Sequence, residues 1–116
     1  MNFQQMSEQA IRDIADPMMD NLMQASTDVD HGRHVRDFTD RMKNIVTPEY
    51  LAHVCQQSQA EKGSWLHREP LAVLRRPDSA VVIWKQYCSK AEGEYVAEMV
   101  LVFRDNRYQI DHVMVF

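Results

Sequence analysis

Three apolar segments separated by two short turns end the chain, and they constrain its fold more than any other feature. We predict strands over residues 80–90, 94–104 and 107–116, because β-branched and aromatic side chains dominate all three. Asp105 and Asn106 both tolerate a positive φ, which predicts a two-residue hairpin turn between the last two strands. The more apolar face of such a sheet needs a cover.

The hairpin also predicts which side chains share a face of the sheet. With Arg104 opposite Arg107, alternation along the strands groups the large side chains together. This predicted bulky face comprises Tyr95, Ala97, Met99, Leu101, Phe103, Tyr108, Ile110, His112, Met114 and Phe116. A three-residue loop at 91–93 extends the register and adds Ile83, Lys85 and Tyr87. The predicted opposite face is smaller and partly polar, with Trp84, Gln86, Val96, Glu98, Val100, Val102, Gln109, Asp111, Val113 and Val115.

Amphipathic helices are predicted for the first half of the chain. Residues 7–26 carry an apolar stripe at spacings of three and four, and its phase continues across Pro17. Asp16 and Pro17 would also suit a fresh helix start, but the unbroken phase favours one bent helix. A second helix is predicted over residues 31–46.

The third predicted helix begins at Thr47, Pro48 and Glu49, which supply a cap, a first-turn proline and an acid, and it runs to about residue 60. In the second helix, His31 and His34 lie three residues apart, a spacing that a metal pair would use. Because no third ligand lies nearby, the sequence favours exposed polar residues and predicts no metal.

Residues 65–76 form the remaining predicted strand, and Pro70 must place it at an edge or on a bulge, because proline cannot donate a ladder hydrogen bond. The predicted fold class is therefore α+β, with three N-terminal helices packed on a curved four-stranded antiparallel meander sheet. We expect one domain over residues 1–116, with helices over about 5–60 and the sheet over about 65–116.

Composition restricts the partners and the compartment. The net charge of −4 does not favour nucleic acid, which requires a basic patch. No apolar run approaches the length of a membrane span, and the first residues do not resemble a signal peptide. Cys55 and Cys88 are predicted to be free buried thiols, without a zinc motif. We expect a cytoplasmic protein without a cofactor, unless a leader precedes the chain.

The chain resembles the nuclear transport factor 2-like superfamily, cone-shaped α+β rolls related to cystatin-like folds. The resemblance rests on the bent first helix, the acidic link 28–30, Phe38 in the second helix and the Thr-Pro-Glu start of the third. The last hairpin, residues 103–111, adds a charged turn before an aromatic residue and then Ile-Asp. The resemblance covers the chain from about Asp16. It implies a cavity between helices and sheet, and frequent homodimers through the outer sheet face, but no particular activity.

Candidate ligand-binding residues follow from the predicted bulky face. Lys85, Met99 and His112 would form one row across three strands, with Tyr87 and Met114 in the next. His112 would serve as a base or a hydrogen-bond donor, and Lys85 would contact an anion. Alternatively, the histidine bonds to the backbone or a tyrosine and the lysine reaches water. Asp111 and His112 are consecutive in a strand and point to opposite faces, so no acid is expected beside His112.

Valines and one tryptophan on the predicted opposite face suggest a homodimer interface: Trp84, Val100, Val102, Val113 and Val115. A face merely half-exposed to solvent is the alternative. We therefore predict a dimeric, non-catalytic binding or accessory domain for a small apolar molecule or a protein segment. Two other hypotheses are a small isomerase, dehydratase or cyclase using His112, and a scaffold with a filled core.

Overall fold

Four strands at the carboxyl end form one antiparallel sheet in their order along the chain. In the computed structural model, which describes residues 1–116, the strands are β1 (Trp65–Arg75), β2 (Ser79–Cys88), β3 (Tyr95–Arg104) and β4 (Arg107–Val115). Asp105 and Asn106 form the last turn with φ of 53° and 61°, as a two-residue hairpin requires. The predicted four-stranded meander is confirmed.

Four α-helices precede the sheet, and the α+β fold class is confirmed. They are α1 (Glu8–Asp28), α2 (His31–His34), α3 (Asp40–Ile45) and α4 (Pro48–Lys62), after a 3-10 turn at Phe3–Gln5. The first helix continues through Pro17, as its phase predicts. The third predicted helix begins as expected, because Thr47 Oγ1 accepts a hydrogen bond from the backbone N–H of Tyr50 at 3.1 Å. No helix combines the length and apolar content needed to cross a membrane.

The predicted helix over residues 31–46 is wrong as a single element. Between α2 and α3 the backbone pairs with the edge of β4: Ile110 N–H donates to Asp37 O at 2.7 Å, and Thr39 N–H donates to Ile110 O at 3.0 Å. Phe38 is fully buried at this crossing. The apolar period continues through the break, so periodicity alone did not reveal it.

The first strand satisfies both conditions that Pro70 imposes. β1 is an edge strand, and its register with β2 shifts between Pro70 and Ala72. Leu71 is the extra residue and is largely exposed. The missing N–H of Pro70 therefore interrupts no continuous ladder.

The β3–β4 hairpin follows the predicted register only as far as Ile110, which lies opposite Leu101. Asp111 is then an extra residue, so His112 lies opposite Val100 and not opposite Met99. A bulge of one residue exchanges the faces of everything beyond it. His112 and Met114 therefore leave the predicted bulky face, and Val113 and Val115 join it.

The register between β2 and β3 also differs from the prediction, by three residues, since Trp84 lies opposite Ala97. The connecting loop spans residues 89–94, longer than the predicted three-residue loop. Its start is bonded to the end of α4, where Ser89 N–H donates to Ser64 O and Lys90 N–H donates to Lys62 O, both at 2.9 Å. Because the register differs by an odd number of residues, the two faces of β2 are exchanged. Lys85 and Tyr87 therefore lie on the face of the sheet that points away from the helices.

The sheet therefore has a covered face and an open face. The covered face carries Val73, Ala80, Val82, Trp84, Gln86, Ala97, Met99, Leu101, Ile110 and Val113. Ile11, Ala15 and Met19 of α1 pack on it without solvent exposure, and Trp84 Nε1 donates to Asp16 Oδ1 at 2.9 Å. The open face carries Val81, Ile83, Lys85, Tyr87, Val96, Glu98, Val100, Val102, His112 and Met114.

Two methionines test this assignment, because the predicted register put both on one face. Met99 is fully buried, whereas Met114 is 51% exposed. We expect Met99→Ala to lower the free energy of unfolding by about 2–5 kcal/mol, through lost burial and a cavity. Met114→Ala should change it by less than about 0.5 kcal/mol. Urea unfolding measures both, and equal losses would contradict the bulge at Asp111.

Candidate functional site

A cavity of about 520 Å³ opens between the helices and the edge of the sheet. α4 packs on α1 and α3 packs on β4, and the cavity separates these two pairs of elements. We call it the α4–β4 groove. Its walls include Leu22, Met42, Val54, Cys55, Val113 and Val115.

Four apolar side chains lining the groove are exposed to water. Ile45 ends α3, Tyr50 and Val54 lie on α4, and Met114 lies on β4; they are between 37% and 51% exposed. Apolar side chains scattered singly over a surface are ordinary, but several around one concavity indicate a binding site. Sequence reasoning did not identify the helical members of this set. The available signal was that α4 has apolar residues outside the stripe formed by buried Leu51 and Cys55.

The strand wall of the groove is fixed through Asp111. Thr39 Oγ1 donates to Asp111 Oδ1 at 2.9 Å, and Arg41 Nε donates to the same oxygen at 3.3 Å. Arg41 also donates to the Asp111 carbonyl oxygen. Burial opposes ionisation of Asp111, but these hydrogen bonds, with the charges of Arg41 and Arg104, outweigh it and hold the pKa of its carboxyl below its usual value. The bulge residue thus connects β4 to the start of α3.

His34 lies in the groove wall without a hydrogen-bond partner for its ring. Its Nδ1 is buried and unbonded, and the ring packs edge-on against Phe38 with centroids 5.4 Å apart. Burial, and next the charge of His31, lowers the pKa of His34 to about 4. The imidazole is therefore neutral at neutral pH.

The neighbouring histidine has a different role. His31 Nε2 lies 2.8 Å from the carbonyl oxygen of Val46 and connects α2 to the end of α3. The two histidines are half-buried, so the prediction of exposed polar residues is wrong. No group of three or more His, Cys, Asp or Glu side chains is arranged to hold a metal.

The five predicted ligand-binding residues do not line one cavity. Met99 is buried beneath the helices. Lys85 and Tyr87 lie on the open face, where Lys85 pairs with Glu94 at 3.2 Å and Tyr87 stacks on His67 at 4.5 Å. The predicted row of Lys85, Met99 and His112, with Tyr87 and Met114 in the next row, is wrong because both registers differ from the prediction.

His112 and Met114 do line the α4–β4 groove, from its edge on β4. His112 Nε2 lies 2.8 Å from Glu98 Oε2. The expectation that no acid lies beside His112 is therefore wrong. The bulge moves His112 to the face of β3 that carries Glu98, a pairing hidden from an unbulged register.

The five predicted interface residues are divided between the two faces. Val100 and Val102 lie on the open face, as expected. Trp84 is buried on the covered face, and Val113 and Val115 line the groove. The shared surface predicted for all five is wrong for these three, again because of the registers. Both cysteines are free and buried, as predicted.

Comparison with known proteins gives the fold and no activity. No protein-family model matches the chain, and no curated protein matches it. A solved structure does: an NTF2-like protein of unknown function from Pseudomonas putida KT2440, 16% identical, with a TM-score of 0.58, covering 93% of this chain and 87% of that chain. This likeness confirms that the chain has the nuclear transport factor 2-like fold expected from its resemblance.

The neutral state of His34 predicts acid sensitivity. The folded-state pKa of about 4 lies below the ordinary value of 6.5, so the unfolded chain binds the proton first. Stability should be complete above about pH 6.5 and fall as the pH approaches 4, by at most about 3 kcal/mol because the ring is partly exposed. Asp111 loses its contribution only below this window, since its pKa is lowered from 3.8.

Urea unfolding at about pH 7 and about pH 4.5 measures this effect. His34→Phe should remove most of the difference between the two pH values, whereas His53→Phe, on an exposed position of α4, should retain it. An unchanged pH dependence in His34→Phe would show that His34 already charges freely in the folded protein.

Proposed function

We propose that the chain is a non-catalytic binding domain that takes an apolar molecule into the α4–β4 groove. The observation that carries this proposal is the cluster of four water-exposed apolar side chains around a cavity of about 520 Å³. Pockets that take a whole small molecule occupy roughly 300–1,000 Å³ and are mostly apolar. An occupant would remove these side chains from water, and their burial would drive binding.

Rigid walls support the proposal. Asp111 fixes β4 against α3, and Thr47 caps the start of α4. On the far side, Gln59 Nε2 donates to Thr27 O at 3.3 Å and connects α4 to the end of α1. A preformed groove loses less conformational entropy on binding than one that must be ordered by its ligand.

Binding of a neutral apolar dye, N-phenyl-1-naphthylamine, tests the proposal by fluorescence titration. Val54→Arg puts a charge into the groove from a side chain that is 37% exposed, and we expect it to weaken dye binding at least about tenfold, because the charge would have to be desolvated. Val29→Arg is the matched control, since Val29 is 43% exposed and lies outside the groove.

The control should bind the dye as the wild type does. A wild-type protein that fails to bind the dye, or equal binding by Val54→Arg and the wild type, would exclude the groove as an apolar binding site. Circular dichroism of each variant separates loss of binding from loss of folding.

We also propose that the domain is a homodimer through the open face of the sheet. Ile83, Val96 and Val100 are half-buried there, beside Val81 and Val102, which are 9% and 5% exposed. Two ion pairs lie on the same face, Lys85 with Glu94 and His112 with Glu98, and Glu98 lies between Val96 and Val100. Interfaces between subunits combine apolar side chains with paired polar groups in this way.

Light scattering tests the dimer. We expect a wild-type dimer, and a monomer for Val100→Arg, because dimerisation would have to desolvate an arginine on each subunit. Val29→Arg should remain dimeric. A monomeric wild-type protein, or a dimeric Val100→Arg, would exclude this interface.

The two free thiols support our proposal that the protein works in the cytoplasm, because disulfides are rare there.

The pairing of His112 with Glu98 favours a second candidate, a small isomerase, dehydratase or cyclase. A carboxylate on Nε2 orients the ring and leaves Nδ1 as the base. The test is deuterium exchange at the α-carbon of an apolar ketone, 2-decanone, followed by NMR in D₂O. Catalysis by the wild type that His112→Gln abolishes would support the enzyme, and equal exchange rates would remove it.

A further inference from the structure

His34 lines the groove, and neither nitrogen of its ring has a hydrogen-bond partner. Nδ1 is buried and unbonded. Nε2 makes no hydrogen bond and, unlike Nδ1, is accessible to solvent. An unpaired buried polar atom such as Nδ1 costs about 1–3 kcal/mol. Nε2 is the nitrogen that a molecule in the groove can reach, and such a molecule would replace solvent there.

The position of His34 is determined by its helix and not by its ring. Asp30 caps α2 by accepting from Arg33 N–H at 3.2 Å, and Asn21 Nδ2 donates to Arg33 O at 2.9 Å. The ring then rests on the edge of Phe38, which is itself fully buried. A ligand would therefore bind to an imidazole that is already held in position.

The charges around the groove disfavour an ionised ligand. Arg41 is occupied by Asp111, and Lys62 lies over the ring of Tyr95, 5.8 Å from its centroid. Glu61, which has the opposite charge, also lines the groove. With Arg41 paired and Glu61 beside Lys62 in the lining, the groove has no net positive charge to offset the cost of desolvating an anionic head group.

We infer that the groove binds a neutral amphipathic molecule, an apolar chain or ring bearing a hydroxyl group, with that hydroxyl hydrogen-bonded to Nε2 of His34. The inference rests on the proposed binding function and names the class of its ligand. A neutral imidazole can accept the hydroxyl proton at Nε2 while Nδ1 carries its own hydrogen. The low pKa of His34 supports this state, because the ring stays uncharged at neutral pH.

A pair of probes of equal chain length tests the inference. 1-Decanol and decanoate differ only in the head group, and each is titrated against the bound dye N-phenyl-1-naphthylamine at about pH 7. We expect the wild type to bind 1-decanol at least about tenfold more tightly than decanoate, a difference of about 1.4 kcal/mol. In ¹⁵N NMR, 1-decanol should shift the Nε2 resonance of His34.

His34→Phe keeps an aromatic ring and removes the nitrogen. We expect it to bind 1-decanol about fivefold more weakly than the wild type does, the value of one hydrogen bond, and to show a smaller change in its affinity for the dye. His53→Phe, outside the groove, should change neither affinity. If His34→Phe does not fold, the ¹⁵N shift in the wild type provides the test instead.

The possible failures are distinguishable. Dye binding together with equal 1-decanol affinity in wild type and His34→Phe would overturn the role of His34 and leave the groove as a binding site. Tighter binding of decanoate would overturn the neutral ligand class. A wild-type protein that binds neither dye nor 1-decanol would overturn the proposed function itself.

Discussion

The contact between Asp111 and the start of α3 determines more of this structure than any other polar interaction. Its carboxylate accepts from Thr39 and Arg41, and the preceding residue, Ile110, pairs with the backbone between α2 and α3. The extra residue in β4 makes these contacts possible, because a regular strand would send that side chain elsewhere. The contact joins the edge of the sheet to the helical layer and covers part of an otherwise open strand edge.

The groove is a consequence of this arrangement. α3 is held to β4, whereas α4 is held to α1 through Gln59 and to the loop after β2 through Lys62 and Lys90. The pair α3 and β4 and the pair α1 and α4 are therefore in contact at the core but separated at the surface. Their apolar side chains are too far apart to bury one another, so water or a ligand must fill the space.

The same arrangement determines the polar chemistry available to a ligand. Two basic side chains of the groove lie beside carboxylates, Arg41 beside Asp111 and His112 beside Glu98. Neither nitrogen of the His34 ring is bonded, and burial keeps that ring neutral. The proposed ligand would therefore be selected by shape and by neutral hydrogen bonds, rather than by charge.

Local sequence features determined most of the helices and strands, apart from the break between α2 and α3. The phase of the apolar stripe predicted α1 through Pro17, Thr47 and Pro48 predicted the start of α4, and Asp105 and Asn106 predicted the last hairpin. Pro70 predicted an edge strand or a bulge, and β1 has both. Each of these features depends on backbone dihedral angles or hydrogen bonds within a few residues, so the local amino-acid sequence is sufficient to predict it.

Only the tertiary structure decided which side chains share a face and which reach the groove. One extra residue at Asp111 moved His112 and Met114, and a longer loop after β2 moved Lys85 and Tyr87. Side chains alternate with a period of two, so an odd slip in register exchanges the faces completely. Both differences in register accompany contacts with distant residues. Asp111 is bonded to Thr39 and Arg41, and the loop after β2 is bonded to Ser64 and Lys62. The environment of His34 has the same origin, because its burial against Phe38 depends on β4, which lies far along the chain.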